Sequence, residues 1–405
     1  MLLVKRPVRS ILTAIADAAA RWSDADFPPR VRALGAVAAR TGYSEPVVEY
    51  AFDRLFTSVT APALETTIAG ELGCIDALDG FVDLRGGLRA RALPIGRVCV
   101  ISSRTTIGVA IVPAIFALAA KCDVVVKDRD DHLVRAFFET LAQEHPDLRE
   151  AARARTWSAA DAVDLAEFDA VVAFGNDATI EQIYRSLPAA TRTIGFGSKA
   201  SAGYAGVQAL HDEHAARDLA RGAARDVVLY ESEGCLSLHV LFVERGGAVS
   251  PGEFAALLAH AIQRAAIEFP PAQRDAAMAA RLAAARDLAA FRAAGGDGAV
   301  YSDASASFLV VLDPPLDEPP NFLARAIGVI SVDRPADARA YLRQHRVPIE
   351  ALAGAPERAD ITDMAIAIGA ARIARFGDLQ APPLAARHGG RPRIAEFVRW
   401  IVDRP

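Results

Sequence analysis

The feature that most constrains the fold is an alternation of buried-strand patterns with helical patterns between residues 96 and 185. Each apolar strand pattern is followed by a segment with apolar residues at helical spacing: 96–102 by 107–120, 123–127 by 133–144, and 169–174 by 178–185. A chain that alternates in this way forms a parallel sheet, because each helix returns it to the same edge. The sequence therefore predicts an α/β fold with wound parallel strands.

The regions on either side extend this pattern. Residues 9–22 and 28–58 are predicted to form N-terminal helices, with Asp24 and Ser44 as caps near their starts or breaks. The second half of the chain predicts further strands and helices and one proline-rich connector: strands 238–244, 307–312 and 327–332, helices 251–267, 272–294 and 335–344, and the connector 313–320. We therefore expect a second domain of strands and Ala-rich helices.

Length and composition limit the classes of function. With 405 residues, of which 52% are hydrophobic, the chain can bury a large core and is expected to form two domains. Its net charge of −5 gives no electrostatic reason to expect a nucleic-acid partner. The longest apolar run, 107–120, is too short to span a membrane, and the first residues lack a secretory-signal pattern. We expect no membrane span and a cytoplasmic protein.

One of the four cysteines lies in a context suited to covalent catalysis. Cys235 falls on a polar, glycine-containing turn between a helical pattern at 211–229 and a strand pattern at 236–243. A thiol on such a turn can be reached by substrate and by backbone N–H donors, as a nucleophile requires. The alternative is that Cys235 is a small apolar filler, which is a common role for cysteine.

The other three cysteines fit that structural role. Cys99 lies inside a strand pattern, Cys122 ends a helix, and Cys74 lies in a loop. No two cysteines have the close spacing of a metal site or a redox pair, so the sequence predicts neither a metal nor disulfides.

Two strand ends are predicted to face a ligand crevice. Lys127 ends the pattern 123–127, and open α/β sheets bind ligands at the carboxyl ends of their strands. Gly175, Asn176 and Asp177 join another strand to a helix and offer backbone N–H groups to an anion. The plain alternatives are a solvated lysine and an ordinary connection. No G-x-G-x-x-G sequence follows a strand, so the common dinucleotide fingerprint is absent.

The order of these motifs resembles the aldehyde dehydrogenase superfamily over most of the chain. The shared order is an apolar strand and helix, then Ala-Ala-Lys-Cys-Asp-Val-Val-Val-Lys127, Val-Val-Ala-Phe-Gly175-Asn-Asp, Gly197-Ser-Lys199 and Cys235. Within the superfamily, the Cys-Leu-Ser segment after Asp226 is similar to that of the acyl-CoA reductases of bacterial luminescence. The tail resembles the same group in four segments: Gly369-Ala-Ala-Arg-Ile373, Gly377-Asp-Leu-Gln-Ala-Pro-Pro383, His388-Gly-Gly390 and Val398-Arg-Trp400.

The resemblance implies an aldehyde-dehydrogenase-like fold of two parallel-sheet α/β domains with N-terminal helices. It implies N-terminal helices and a cofactor-binding domain at 1–205, a catalytic domain at 206–370 and a C-terminal segment at 371–405. Its implied activity is reduction of an acyl-CoA, or of an acyl group on a carrier, to an aldehyde with NADPH or NADH. A homo-oligomer or a pathway partner is compatible with this assignment.

The resemblance also implies roles for individual residues. Cys235 would attack the acyl thioester, and the backbone N–H groups of Cys235 and Leu236 would help to hold the developing oxyanion. Glu233 occupies a place, two residues before the nucleophile, where the family has a polar side chain. Lys127 would bind the adenosine ribose, and Gly175 with the start of the next helix, including Asn176, would face the cofactor.

Other positions depart from the superfamily pattern. The loop after the first strand has Arg104 where an oxyanion-binding asparagine is usual; it could bind a phosphate, replace that donor or be a surface residue. Asp130 favours the ribose hydroxyl of NAD, whereas neighbouring Arg129 suits the phosphate of NADP. Gly195 stands where hydrolytic relatives have a general-base glutamate, and loss of that base favours reduction of the thioester over hydrolysis.

Alternative functions follow from the same residues. His211, His214 and His239 lie near Cys235 in the sequence and raise the possibility of a Cys-His hydrolase. A cysteine acyltransferase or thioesterase would use the same acyl-cysteine chemistry without hydride transfer. A degenerate family member would act as a non-catalytic partner subunit.

Overall fold

The computed structural model describes residues 3–83, 87–103, 106–128, 132–157, 165–296, 298–355 and 358–404. The chain forms two compact units. The first consists of Met1–Thr41, Val48–Ser198 and Pro383–Pro405, and the second of Gly42–Val47 and Lys199–Pro382.

The α-helices, in chain order, are α1 (Val8–Trp22), α2 (Pro28–Thr41), α3 (Glu45–Ser58), α4 (Ala61–Leu72), α5 (Ile111–Ala119), α6 (Leu133–Glu144), α7 (Pro146–Ala151), α8 (Asp177–Ser186), α9 (Glu213–Val228), α10 (Pro251–Glu268), α11 (Ala276–Ala294), α12 (Pro335–Gln344) and α13 (Ala359–Ile368). Short 3-10 helices occur at Ile75–Leu78, Leu165–Glu167, Val207–Leu210, Leu229–Ser232 and Ala395–Phe397.

The strands, in chain order, are β1 (Val82–Asp83), β2 (Arg89–Pro94), β3 (Arg97–Ile101), β4 (Asp123–Lys127), β5 (Ala152–Arg155), β6 (Ala170–Phe174), β7 (Arg192–Phe196), β8 (Ala200–Ala205), β9 (Leu238–Glu244), β10 (Ala299–Ser302), β11 (Leu309–Leu312), β12 (Ala326–Val332), β13 (Ile349–Ala353), β14 (Arg372–Ala374) and β15 (Val398–Asp403).

The first unit contains a five-stranded parallel sheet in the order β5-β4-β3-β6-β7. The predicted strands 96–102, 123–127 and 169–174 are confirmed as β3, β4 and β6. The connections run from β3 outward in both directions, so the strand order reverses between β3 and β6, and open α/β sheets bind ligands at the carboxyl ends of such strands. A separate antiparallel sheet, β1-β2-β15, pairs the tail with the residues before β3.

The predicted helical region 28–58 consists of two helices, α2 and α3, and Ser44, a predicted cap, directly precedes α3. Gly42 has a φ of +76°, a value that right-handed helical residues do not adopt, and it follows the last residue of α2. The helices of this unit are held by an aromatic cluster around Trp22, whose ring contacts Phe52, Phe56 and Phe137. The Trp22 indole N–H donates to the Thr140 hydroxyl at 3.0 Å, so the buried polar group is satisfied.

The second unit contains a seven-stranded sheet in the order β10-β11-β12-β9-β8-β13-β14. All of its pairings are parallel except that of β10 with β11. Strands β9 and β12 were predicted within a residue, and the connector 313–320 contains neither helix nor strand. Two sequential parallel sheets with crossover helices confirm the predicted α/β class.

Because β9, β8 and β13 are parallel neighbours, their amino ends lie at one edge of the sheet, and the residues around that edge form the candidate site.

Candidate active site

Cys235 lies on a turn between α9 and β9, as its sequence context predicts. The Ser237 N–H donates to the Gly234 carbonyl at 3.0 Å and closes the turn. The Ser201 hydroxyl at the start of β8 donates to the Cys235 carbonyl at 2.9 Å. The turn is therefore attached to the neighbouring strand, and Cys235 as a residue is partly exposed, whereas Cys99 and Cys122 are fully buried.

The backbone immediately before this turn is left-handed over three residues. Tyr230, Glu231 and Ser232 have φ values of 56°, 53° and 56°. None of them is glycine, so the conformation is unfavourable by roughly 1–3 kcal/mol per residue and persists only where the surroundings hold it. Glu231 and Ser232 are both buried.

A buried carboxylate holds the left-handed segment. Glu231 accepts the Arg325 Nε–H at 2.7 Å, the Ala272 N–H at 3.1 Å and an Arg274 N–H at 3.3 Å. Arg325 also donates to the Phe269 carbonyl at 2.8 Å. The contacts fix Glu231 from three directions, four residues before the nucleophile.

Ser232 is held on its other side. Its hydroxyl donates to the Val227 carbonyl at 3.0 Å, and its own carbonyl lies 3.0 Å from Nε2 of His239. Burial lowers the pKa of His239 to about 4, so the neutral ring carries one proton, which it can donate to that carbonyl. His239 therefore supports the turn.

A second carboxylate, Asp226 near the end of α9, binds the tail of this unit. Asp226 accepts the Gly377 N–H at 2.7 Å and the Leu379 N–H at 3.1 Å. The Gln380 amide, one residue further, donates to the Ser237 hydroxyl at 2.9 Å, two residues past Cys235. Burial raises the pKa of Asp226 to about 7. The tail segment 377–380 thus connects α9 to the nucleophile turn.

Charged groups surround the Cys235 thiol. Burial, with a smaller contribution from the Glu350 carboxylate, raises its pKa to about 12, and Lys199 and the backbone N–H groups of Cys235 and Leu236 act in the opposite direction. The Leu236 N–H, which the sequence predicts as an oxyanion donor, therefore stabilises the Cys235 thiolate. Lys199 and Glu350 form an ion pair at 2.8 Å.

Glu233 faces a different partner. Its carboxylate accepts the Tyr43 hydroxyl at 3.0 Å, and burial raises its pKa. Tyr43 also contacts Tyr230, with ring centroids 6.2 Å apart. The role of Glu233 in catalysis remains a prediction, and its visible contact is with Tyr43.

The predicted cofactor residues belong to the first unit. Lys127 is the last residue of β4, and its ammonium lies 5.2 Å from the centre of the Trp157 ring, just past the end of β5. Gly175 follows β6 directly, and its N–H donates to the Phe196 carbonyl at 3.2 Å. Lys127 and Gly175 therefore lie at the carboxyl ends of two parallel strands that flank β3.

The start of α8 is satisfied by the chain itself. The Asn176 side chain accepts the Thr179 N–H at 2.9 Å and caps the helix. Asp177 adds a negative charge in the first turn, and its carboxylate accepts the Ser198 N–H at 2.8 Å. A Cβ on Gly175 would lie 3.3 Å from the Thr179 side chain, so close packing favours glycine there. Arg104 and Asp130 lie outside the described residues.

Gly195 is enclosed by helix α8. A Cβ at this position would lie 2.4 Å from the Tyr184 hydroxyl oxygen and 2.7 Å from Cγ2 of Ile180. Gly195 is an extended residue of β7, so the requirement for glycine is space and not backbone angle.

The histidines do not support a Cys-His hydrolase. His239 is directed to Ser232, as described above. His211 lies 2.9 Å from the Gln208 carbonyl and 3.1 Å from Asp212, and His214 lies 3.7 Å from Asp218. His211 and His214 are exposed at the start of α9.

Several site residues were not predicted from the sequence. Glu231, Arg325, Lys199, Glu350 and Trp157 acquire their positions through contacts between distant segments. Lys199 was noted only as part of a family motif. The one local signal is the cluster of charged residues directly before a glycine–cysteine turn, which marks Glu231 and Glu233 alike.

Solved structures with this fold are aldehyde dehydrogenases and related oxidoreductases. An NAD-dependent benzaldehyde dehydrogenase from Corynebacterium glutamicum is 15% identical, with a TM-score of 0.68 over 98% of this chain and 86% of its own. An oxidoreductase from Marinobacter aquaeolei is 13% identical, with a TM-score of 0.74 over 98% and 86%. A Thermus 1-pyrroline-5-carboxylate dehydrogenase with bound NAD is 13% identical, with a TM-score of 0.64 over 98% and 82%. The fold is therefore aldehyde-dehydrogenase-like.

The sequence identifies one family within this fold. The family model for acyl-CoA reductase (LuxC) matches residues 3–400. The chain belongs to the acyl-CoA reductase (LuxC) family, which confirms the resemblance drawn from its motifs. No curated protein sequence matches it significantly. Among the described residues, every helix is too short or too polar to cross a membrane.

Proposed function

We propose that this protein reduces an acyl-CoA, or an acyl group on a carrier, to an aldehyde through an acyl–Cys235 intermediate, with NADPH or NADH as the reductant. The observation that carries the proposal is the Cys235 turn. Cys235 is a partly exposed residue on this turn, and its own N–H and that of Leu236 lower the pKa of its thiol, in a chain of the acyl-CoA reductase family.

The proposed acylation step uses groups of the turn. The Cys235 thiolate bonds to the acyl carbon, the carbon–sulfur bond to CoA breaks, and CoA leaves as its thiolate. The N–H groups of Cys235 and Leu236 stabilise negative charge, first on the sulfur and then near the acyl oxygen. Hydride addition leaves a thiohemiacetal alkoxide on Cys235; as its oxygen re-forms the carbonyl, the carbon–sulfur bond breaks, which releases the aldehyde and restores the Cys235 thiolate.

The first unit has side chains that fit a nicotinamide dinucleotide. Lys127 offers an ammonium for ribose hydroxyls, Trp157 an indole on which a base can stack, and Gly175 a backbone without a side chain. When bound, the reduced cofactor supplies the hydride. Because Asn176 and Asp177 already satisfy the start of α8, we assign the cofactor contacts to Lys127, Trp157 and Gly175 ahead of that helix end.

The acyl group on Cys235 is removed by reduction in preference to hydrolysis. Gly195 has no carboxylate to activate water, and the space above it is taken by Tyr184 and Ile180. An acyl group on Cys235 therefore persists until hydride or CoA removes it.

The test is a panel of acyl-CoAs incubated with the purified chain and NADPH or NADH. Oxidation of the cofactor, with one aldehyde formed per cofactor oxidised, is the expected result. Release of CoA without cofactor oxidation would indicate an acyltransferase or thioesterase. Failure of both with a folded protein would indicate a non-catalytic family member.

A further inference from the structure

The ion pair beside the nucleophile has no part in the steps above. Lys199 immediately precedes β8, and Glu350 is the second residue of β13, the strand beside β8. The Lys199 Nζ lies 2.8 Å from a Glu350 carboxylate oxygen. The Glu350 side chain is 4% exposed and that of Lys199 26%, so the carboxylate is buried and the ammonium partly so.

The backbone directs Glu350 to this place through an irregularity in the sheet. The register of β13 with β8 shifts between Ile349 and Ala351, so Glu350 is the extra residue of a bulge. Bulges re-aim a side chain and are frequent next to active sites. A charged residue in an otherwise apolar strand, Ile-Glu-Ala-Leu-Ala, would be unfavourable without a partner, and Lys199 supplies one.

The same strand ends attach to the nucleophile turn. Ser201, two residues after Lys199, donates its hydroxyl to the Cys235 carbonyl at 2.9 Å and its N–H to the Ser237 carbonyl at 3.3 Å. The pair and the thiol therefore share the amino-terminal edge of three adjacent strands. The Glu350 carboxylate raises the pKa of the Cys235 thiol, and the Lys199 ammonium lowers it.

We propose that the Lys199–Glu350 pair sets the ionisation of the nucleophile, with the Lys199 ammonium favouring the Cys235 thiolate and the Glu350 carboxylate opposing it. The inference rests on the proposed role of Cys235. It also goes beyond that role, since it assigns opposite effects to two residues that form one ion pair.

Other charged groups face the same sulfur. Arg372, the first residue of β14, lies close enough for Cys235 and Glu350 to influence its pKa, which burial lowers. Its guanidinium donates to the Asp378 carbonyl at 3.3 Å and to that of Leu379, so it stays attached to the tail segment. Lys199 and Glu350 remain the charged side chains with the largest effect on the thiol.

Lys199 and Glu350 are expected to change the thiolate fraction of Cys235 in opposite directions, so variants of the two residues test the proposal. The rate of Cys235 alkylation by iodoacetamide, followed by peptide mass mapping from pH 6.5 to 10, reports the thiolate fraction without requiring acyl-CoA. Lys199→Met should slow alkylation at pH 7.5 by about tenfold, and Glu350→Gln should accelerate it by about tenfold. These rates are expected if the pKa of the Cys235 thiol rises by about one in the first variant and falls by about one in the second. Lys199→Arg, which keeps the charge, should stay near the wild-type rate.

Controls separate this effect from damage to the fold. Asp333→Asn removes a carboxylate from an exposed ion pair with Arg245 in the same unit and should leave the pH midpoint of alkylation unchanged. If Lys199→Met does not fold, Lys199→Gln removes the charge while keeping a donor for Glu350. A shift of both charge-removing variants in the same direction, or no shift in either, would overturn the proposal. Inactivity toward acyl-CoA with the opposite shifts intact would instead refute the proposed reaction alone.

Discussion

Glu231 and Arg325 lie 94 positions apart in the chain and form a buried ion pair, with Oε1 of the glutamate 2.7 Å from Nε of the arginine. Their side chains are 5% and 1% exposed. Both residues have left-handed backbone, with φ values of 53° and 52°. The pair thus joins two strained segments, one of them directly before the Cys235 turn, and the ionic contacts hold conformations that the backbone alone disfavours.

Removing the Glu231 carboxylate should both destabilise the second unit and slow acylation. Glu231→Ala leaves Arg325 and Arg274 without their buried counter-charge, at an expected cost of about 3–5 kcal/mol in the free energy of unfolding. The left-handed segment would relax, so the fraction that remains folded should acylate Cys235 more slowly. Urea denaturation and the acylation rate measured by intact mass check the two effects.

A matched variant distinguishes positioning from stability. Asp79→Ala removes the partner of buried Lys121 in the first unit, where the ion pair has a length of 2.5 Å. This variant should lose stability while its folded fraction acylates Cys235 at the normal rate. Equal slowing in both variants would mean that Glu231 acts through stability only.

Cys235→Ala should abolish the acyl-enzyme and the aldehyde while the fold is retained. The substitution removes one sulfur from a partly exposed turn, so the change in stability should stay within about 1 kcal/mol. Intact-mass analysis after incubation with an acyl-CoA checks the result, and Cys74→Ala, at another partly exposed cysteine, is the control. An acyl adduct that survives in Cys235→Ala would contradict the assignment.

Local pattern explains which parts of the fold were predictable. The positions of Cys235 and Lys127 depend on where a helix or a strand ends, and that is visible in the spacing of nearby apolar residues. The break between α2 and α3 is marked by Ser44, a residue type that favours the start of a helix. Strand β8, with its residues Ala-Ser-Ala-Gly-Tyr-Ala, lacks the β-branched residues that mark a strand, although its neighbours bury it completely.

The contacts that hold the site in place could not be predicted from local sequence pattern. Glu350 and Lys199 are 151 positions apart, and their pairing depends on the order of strands in the sheet and on a bulge. Left-handed backbone at Tyr230, Glu231 and Ser232 has no signature in residue type, since none is glycine or asparagine. Tertiary contacts decide these features.

Lys127→Ala should weaken nicotinamide binding with little effect on acylation. Loss of one charge-assisted hydrogen bond suggests roughly 1.5–3 kcal/mol, or about tenfold to a hundredfold in Kd. Titration of the cofactor by fluorescence measures this, and Lys5→Ala at an exposed position is the control for loss of a positive charge. Trp157→Ala should weaken binding as well if the indole stacks on a base. Unchanged affinity in both variants would place the cofactor elsewhere.

Asp226 should make stability depend on pH. Burial raises the pKa of its carboxyl from 3.8 to about 7, so between these values the unfolded chain has released a proton that the folded chain retains. The contribution of Asp226 to stability is therefore fully present below pH 4, declines as the pH rises to about 7 and is constant above that. The stability of wild type relative to Asp226→Asn, measured by urea denaturation from pH 5 to 8, should fall with pH and then level off. A flat difference would show that the carboxyl titrates normally.

Gly195 is proposed to occupy the place of the general base of hydrolytic dehydrogenases, and its surroundings determine how this proposal must be tested. A Cβ there would lie 2.7 Å from the buried Ile180 side chain and 2.4 Å from the hydroxyl of Tyr184, which is 39% exposed and can move. Gly195→Ala should therefore destabilise the first unit by about 1–3 kcal/mol, and adding Tyr184→Ala should recover part of that loss. Gly195→Glu is best introduced in the Tyr184→Ala background, where the carboxylate has room to activate water. In that double variant, release of free acid from acyl-CoA should rise at the expense of aldehyde, relative to Tyr184→Ala alone. A folded double variant that acylates Cys235 without any rise in acid would show that Gly195 does not occupy the position of the missing base.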